Sequence, residues 1–341
     1  MIEKRIVDHT KENEEEKIID LSLRPRTLSE FIGQKDVIGP LQIAIQSAKK
    51  RDEPLEHILL CGPPGLGKTS LAYCIAQEMG AKLVSTSGPA IERAGDLVGI
   101  LTNLARGDVF FIDEIHRLSR VIEEFLYPAM ENFQIDFVVD KGPYARNIKF
   151  NLKPFTLIGA TTRKGLLSAP LRGRFGIFFD FDFYPPQELA TIVKRSASLL
   201  DIDIDEESAF QIASRCRGSP RLANRLLRRV RDYAIVCGKG VINLEITDQA
   251  LKKVKIDSQG LDDLDRRYLR VLIEIYKGGP AGLEAIAASL GEDKDTLEDV
   301  VEPYLLKKGF IRRTPRGRVA TEFSYTHLGI PYNRKGQREL F

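Results

Sequence analysis

The sequence predicts an α/β chain in three parts: a parallel sheet with a β-hairpin inserted in it, a small helical unit, and a C-terminal winged helix. Three observations predict this. Short apolar runs at 58–61, 109–112 and 155–160 each end in glycine or polar residues, as buried strands of open parallel sheets do. From Gln187 to about Lys255 the pattern is helical throughout. Beyond Gln259, three helical stretches precede a basic segment, 309–321, that reads as two short strands around a turn.

At 341 residues the chain exceeds one ordinary core, so two or three domains are expected. Its composition, 43% hydrophobic and 29% charged, is that of a soluble globular protein. No apolar run reaches membrane-spanning length, and Met1-Ile2-Glu3-Lys4-Arg5 opens no signal-peptide core. A cytoplasmic protein without a membrane partner is expected. Cys61, Cys74, Cys216 and Cys237 lack metal-ligand spacing and read as reduced thiols in or near the core. His9, His57, His116 and His327 are scattered, so a histidine metal site is not expected. The net charge of +3 confines any nucleic-acid role to local patches.

Taken in order, residues 1–20 are charge-rich and read as a mobile arm. Residues 23–34 are extended and then turn, because Arg24-Pro25 cannot sit inside a helix. A lid over a nucleotide base or ribose and an ordinary lead-in are both open readings there. Leu41, Ile45 and Ala48 predict a helix at 41–50, stopped by Asp52-Glu53-Pro54. The strand 58–61 then runs into Gly62-Pro63-Pro64-Gly65-Leu66-Gly67-Lys68-Thr69, which fits the P-loop spacing G-x-x-x-x-G-K-(S/T) in full. Leu71, Ile75 and Met79 share one face of the following helix, and Gly80 ends it. Glycines here let backbone amides crowd round phosphate oxygens, and the helix N-terminus adds partial positive charge. Lys68 can reach the β- and γ-phosphates of a nucleotide, and the Thr69 hydroxyl can take a Mg2+ coordination site.

A strand at 82–86 and a helix at 95–104 follow, and then Asp113-Glu114 at the C-terminal end of a buried strand, where open parallel sheets place their sites. Asp113 can orient Mg2+ through water, and Glu114 can polarise the water that attacks a γ-phosphate. Alternation at 134–139 and 148–152 about the turn 141–144 predicts a protruding β-hairpin suited to a partner. The next strand ends in Thr161-Thr162-Arg163, where a polar side chain can touch the γ-phosphate or the attacking water. Either threonine fits. Leu171-Arg172-Gly173-Arg174-Phe175 follows a turn; an arginine there could cap a phosphate in trans, and a surface salt bridge is an equal reading. A last sheet strand is expected at 177–181, and Tyr184-Pro185-Pro186 reads as a linker. Among the seven arginines from Arg215 to Arg231, most read as a solvated face, and Arg221, after Pro220 at a helix start, is placed to point at a ligand. Arg312, Arg313, Arg316 and Arg318 on the wing suit phosphate contacts in a minor groove; a solvated basic turn or a protein-binding wing are the alternatives.

Together these motifs resemble the RuvB family of AAA+ ATPases, the motor subunits of bacterial Holliday-junction branch-migration complexes. The match runs from about Leu21 to Leu328 and rests on 23–34, 62–69, Asp-Glu-Ile-His at 113–116, Ile-Gly-Ala-Thr-Thr-Arg at 158–163, Gly-Ser-Pro-Arg-Leu-Ala-Asn at 218–224 and Arg-Thr-Pro-Arg-Gly-Arg at 313–318. The expected division is a mobile arm at 1–20, a large ATPase domain at 21–184, a small helical domain at 185–255 and a winged-helix domain at 258–341, with the arm and the tail from Asn333 outside the resemblance. The resemblance implies ATP and Mg2+ as cofactors, with Leu23 and Arg24 on the adenine side and Gly62, Gly65, Gly67, Lys68, Thr69 and Ser70 around phosphates and metal. Asp113 becomes the metal-side acid, Glu114 the water-activating one, and Thr161 or Thr162 the γ-phosphate sensor. Arg174 becomes an arginine finger acting on the neighbouring subunit, and Arg221 a second sensor; Glu131, Asn132, Phe133 and Tyr184 match nucleotide-neighbour positions. Lys294, Arg313 and Arg318 match DNA-contacting positions, Lys294 standing where arginine is common, which loses a bidentate fork. Gly173 stands where aspartate is usual, which leaves Arg174 without a nearby acid in a more mobile loop. The implied activity is ATP-driven migration of Holliday junctions in recombination and repair, within the SOS response, by a homohexamer around duplex DNA. The implied partners are RuvA, docked on the 134–152 hairpin, and the RuvC resolvase. The rivals are a clamp loader or protein remodeller (no aromatic pore loop stands out at 86–100), a nucleotide-gated DNA-binding regulator, and a protein adaptor.

Overall fold

A computed structural model describes residues 20–139, 146–238 and 240–332. The arm to residue 19, the hairpin turn at 141–144 and the tail from 333 lie outside them. The chain divides into two compact units at Tyr184 and Pro185.

The first unit is built on a five-stranded parallel sheet, β1 (Ile58–Cys61), β2 (Leu83–Ser87), β3 (Val109–Asp113), β6 (Thr156–Thr161) and β7 (Ile177–Asp180), in the order β2-β3-β6-β1-β7. β1 and β6 are buried along their whole length because both faces are covered, which is why β1 reads as an unbroken apolar run and β6 as an apolar stretch between two buried threonines. β7 is an edge strand with Phe178 exposed. The register sets Cys61 beside Thr161 and beside Asp180, so the C-terminal ends of β6, β1 and β7 lie level. Leu59, Phe110, Ile112 and Leu157 form one side of the core with Ile122, Leu126 and Met130 of the helix Arg120–Asn132. The expected hairpin is present as β4 (Gln134–Val139) and β5 (Arg146–Asn151), a separate antiparallel pair. Ile135 and Leu152, both buried, anchor its base, and Leu152 N donates to Phe133 O at 2.7 Å.

One helix differs from expectation. Lys35–Arg51 begins before Leu41 and carries Pro40 within it. A proline forfeits one helical hydrogen bond, and burial of Val37 in the same face as Leu41 and Ile45 outweighs that loss.

The second unit opens with four helices, Pro186–Leu199, Glu206–Ser214, Pro220–Cys237 and Leu244–Lys253. The winged helix follows with Asp263–Arg270, Leu283–Leu290 and Glu302–Lys307, then β8 (Ile311–Thr314) paired to β9 (Gly317–Ala320). Tyr268, Leu272, Ile286, Leu297, Leu305 and Phe310 fill its core. Gly317 has φ 137°, and a Cβ there would stand 2.4 Å from the Ala281 carbonyl oxygen, so only glycine lets the wing lie this close. A further helix, Glu322–Leu328, had no signal beyond Gly329 at its end; it is short and held by burial of Ser324 and Tyr325.

The arginines from 215 to 231 are not a solvated face. Arg217, Arg225 and Arg228 are buried and only Arg229 is exposed. Arg217 is taken up by the carboxylates of Asp262 and Asp265, which the sequence places too far away to be seen as its partners.

Candidate active site

β1 delivers the chain into the P-loop at the C-terminal edge of the sheet. Gly62 N donates to Thr161 O at 3.1 Å and Phe181 N to Cys61 O at 2.7 Å, so the loop is anchored to both neighbouring strands. A Cβ at Gly62 (φ 140°) would stand 2.6 Å from the Phe181 carbonyl oxygen, which excludes any other residue. The helix Lys68–Met79 starts at Gly67 with no side-chain cap, an N-terminus of the kind that suits an anion. Thr69 and Ser70 lie in that first turn. Lys68 is only 7% exposed, and its ammonium donates to Gly62 O at 2.7 Å and Pro63 O at 2.8 Å. The segment 23–31 lies along the same helix: the Cys74 thiol donates to Pro25 O at 3.4 Å, and the Arg24 guanidinium stands 5.9 Å from the Tyr73 ring centre. Leu23 is buried, and Tyr184 OH donates to Leu66 O at 3.2 Å, so Leu23, Arg24 and Tyr184 belong to the surroundings of the loop.

The acids stand beside it. Thr69 Oγ1 donates to Asp113 Oδ2 at 3.5 Å, and Asp113 Oδ1 accepts from Glu114 N at 3.0 Å. Among the described residues no cluster of three His, Cys, Asp or Glu could hold a metal alone. One hydroxyl and one carboxylate fit Mg2+, which takes few protein ligands and completes its shell with phosphate and water. Glu114 adopts a left-handed backbone (φ 51°), an uncommon conformation for a non-glycine residue, which turns it out of the strand line. The two threonines divide. Thr161 Oγ1 is 2.9 Å from His116 Nδ1 and accepts from Arg163 N at 3.0 Å. The Thr162 hydroxyl is buried and has no hydrogen-bond partner among the described residues. Such an orphan costs free energy unless a ligand satisfies it, which is what a phosphate oxygen at the P-loop would do.

Arg174, Glu131, Asn132 and Phe133 are not brought to this loop. The Phe133 ring packs against His57 and Phe155, which precede β1 and β6, and Gly176 N donates to His57 O. These residues therefore lie at the N-terminal edge of the sheet, a strand length or roughly 13 Å from the P-loop. Arg174 pairs with Glu131 at 3.0 Å, donates to Pro170 O at 2.7 Å and covers the Tyr127 ring at 4.2 Å. The expectation that Gly173 leaves Arg174 without an acid is thus wrong, because Glu131 supplies one from the preceding helix. The loop is also pinned by buried Leu171 and Phe175 on either side. Arg221 lies in the first turn of Pro220–Cys237 in the second unit.

In the wing, Arg312 and Arg316 are exposed, and Lys294 pairs with Glu284 at 2.9 Å. Arg313 and Arg318 both close on Glu302, whose side chain is 0% exposed: Arg318 Nε donates to Oε1 at 2.7 Å and Arg313 Nη2 to Oε2 at 2.6 Å. Tyr268 OH adds a third donor at 2.7 Å. Burial pushes the Glu302 carboxyl up, but hydrogen bonds from Arg318, Tyr268 and Arg313 outweigh it and hold the group below the ordinary glutamate range. A depressed carboxyl contributes stability that is present above its unfolded value, about 4, and is lost as pH falls through the folded one. The denaturation midpoint of Glu302→Gln, followed by tyrosine fluorescence, should therefore lie well below that of the parent at pH 7 and approach it below about pH 4. A gap that stays constant with pH would refute this role. Sequence reasoning missed Glu302, Tyr268, Arg217 and His116. Of these only His116, inside Asp-Glu-Ile-His, carried a local signal.

Sequence models of three domains match in tandem: the Holliday junction DNA helicase RuvB P-loop domain over residues 23–181, the RuvB AAA lid domain over 184–257, and the RuvB C-terminal winged helix domain over 258–329. The chain is 60% identical over 309 residues to the Holliday junction branch migration complex subunit RuvB of Kosmotoga olearia, covering 91% of this chain and 90% of that one. Among solved structures it is similar to the Thermotoga maritima RuvB Holliday junction branch migration motor, at TM-score 0.85 and 51% identity, over 92% of this chain and all of that one. A single-substitution variant of the Thermotoga maritima protein matches at TM-score 0.86 and 52% identity, over 91% of this chain and 99% of that one.

Proposed function

The chain belongs to the RuvB family, and from that premise we propose how its residues drive branch migration. It is a DNA-dependent ATPase that migrates Holliday junctions in recombination and repair. Its P-loop domain binds the nucleotide, with Gly62, Gly65, Gly67, Lys68, Thr69 and Ser70 on the phosphates. Thr69 and Asp113 would hold Mg2+, which would neutralise charge on the phosphate oxygens. Glu114 takes the proton of the attacking water, and Thr162, rather than Thr161, donates its hydroxyl to the γ-phosphate; the orphan state of that hydroxyl supports the assignment.

The observation that carries the reading is the separation of Arg174 from its own P-loop by the length of a strand. An arginine there cannot serve its own site, so it serves a neighbour's, and Glu131, Asn132 and Phe133 accompany it across the same interface. A finger acting in trans needs a neighbouring subunit, and the family likeness points to a homohexamer around duplex DNA as the assembly that supplies it. Arg221 reports the nucleotide state to the second unit, and Arg312, Arg313, Arg316, Arg318 and Lys294 carry it to the DNA backbone. The β4–β5 hairpin, where Phe150 is 40% exposed, is the dock for RuvA, and RuvC acts on the same junction. The expected location is the cytoplasm.

The test mixes two inactive proteins. Arg174→Ala and Lys68→Ala should each abolish turnover, and an equimolar mixture should recover activity, because about a quarter of interfaces then pair an intact P-loop with an intact finger. No recovery at any ratio, in mixed rings verified by mass photometry, would overturn action in trans.

A further inference from the structure

The side chain of the histidine after the acid pair is buried, only 5% exposed, and lies between two parts of the site. His116 Nε2 is 3.5 Å from Glu114 Oε2, and His116 Nδ1 is 2.9 Å from Thr161 Oγ1. Thr161 is itself fixed: its hydroxyl oxygen accepts from Arg163 N, its carbonyl accepts from Gly62 N of the P-loop, and its backbone pairs with Cys61.

We propose that His116 is a positioning residue that couples the end of β6 to the catalytic Glu114. The proposal rests on Glu114 acting as the base. The hydrogen-bond pattern selects a tautomer. The Glu114 carboxylate favours the imidazole proton on Nε2, which faces it, and Thr161 Oγ1, which accepts from Arg163 N, then donates its own proton to the bare Nδ1. The opposite tautomer would set a nitrogen lone pair against carboxylate oxygen. At 3.5 Å the Nε2–Glu114 contact is longer than a formed hydrogen bond, and the Glu114 side chain is 36% exposed, so it has room to close on the imidazole or swing away. Thr162 is the next residue after Thr161. A phosphate that engages the Thr162 hydroxyl shifts the end of β6, and Thr161 passes that shift through the imidazole to the carboxylate. Glu114 is thereby aimed at the water only when the γ-phosphate is in place, which protects the site from idle turnover.

The test is a double-mutant cycle on kcat for ATP hydrolysis, with ADP affinity measured in parallel. His116→Ala and Thr161→Val should each lower kcat about 10- to 100-fold, the range expected from misplacing a reacting group by about an ångström, with KM and ADP affinity nearly unchanged. The double variant should be no slower than the slower single one, because both cut one chain of contacts. Thr161→Ser, which keeps the hydroxyl, should restore kcat to near the parent value, and His116→Gln, whose amide can still meet Thr161, should fall between. Additive losses, a change in KM alone, or Thr161→Ser as slow as Thr161→Val would overturn the proposal. If His116→Ala lost ADP binding, Thr161→Ser against Thr161→Val would still decide. Turnover surviving in Glu114→Gln would instead sink the assignment of the base; loss there with His116→Ala unaffected would sink only the coupling.

Discussion

Glu114→Gln is expected to lower kcat for ATP hydrolysis by about 10²- to 10⁴-fold while ATP affinity stays within a few-fold of the parent. The reason is local. Glu114 follows Asp113, which meets Thr69 on the P-loop helix, so the acid stands at the nucleotide end of β3. Glutamine keeps the shape and can keep the left-handed backbone at this position, but it cannot take a proton from water. Lys68 and Thr69 are untouched, so the phosphates keep their anchors. Steady-state phosphate release, set beside equilibrium binding of a fluorescent ATP analogue, checks both halves. Turnover within about tenfold of the parent would remove Glu114 from its role.

Arg217→Leu is expected to destabilise the second unit by about 3–5 kcal/mol, because it strands two buried carboxylates. Arg217 is 4% exposed. Its Nε donates to Gly260 O at 2.8 Å and its Nη1 to Asp265 Oδ1 at 3.2 Å, while Nη2 reaches Asp265 Oδ2 and also Asp262 Oδ2 at 3.1 Å. Asp262 caps the first helix of the winged helix, and Asp265 closes the same capping box. Arg217 sits just before the helix that carries Arg221, so one guanidinium joins the helical part of this unit to the start of the winged helix. Urea denaturation of the full chain, read by tyrosine fluorescence since there is no tryptophan, measures the loss. The double variant Arg217→Leu with Asp265→Leu should be less damaged than Arg217→Leu alone, since it removes one stranded charge with its partner. A loss under about 1 kcal/mol in the single variant would mean that the pair is not a structural tie.

The P-loop, the acid pair and the strands that carry them were legible because each is a contiguous segment whose chemistry and periodicity are local. Gly62 to Thr69 declares its turn by glycine spacing, and β1, β3 and β6 declare burial by short, predominantly apolar runs. The hairpin was legible for the same reason, through its alternation. Pairings across long stretches of chain were not. Nothing near Arg217 announces Asp265, 48 residues on, and nothing near Glu302 announces that Arg313 and Arg318 fold back on it. Thr161 and Thr162 are the same residue type side by side, and only the packing of His116 on one of them separates an occupied hydroxyl from an orphaned one.

The sequence by itself determined the nucleotide-binding chemistry, the α/β class and the basic wing, since these depend on residue type and short spacing. The tertiary structure decided which arginines are buried ties, which acid serves Arg174, and that Arg174 and the P-loop sit at opposite edges of one sheet. Those are matters of distance between segments remote in the chain, which parallel pairing of the strands and burial of charge with its counter-charge settle only on folding.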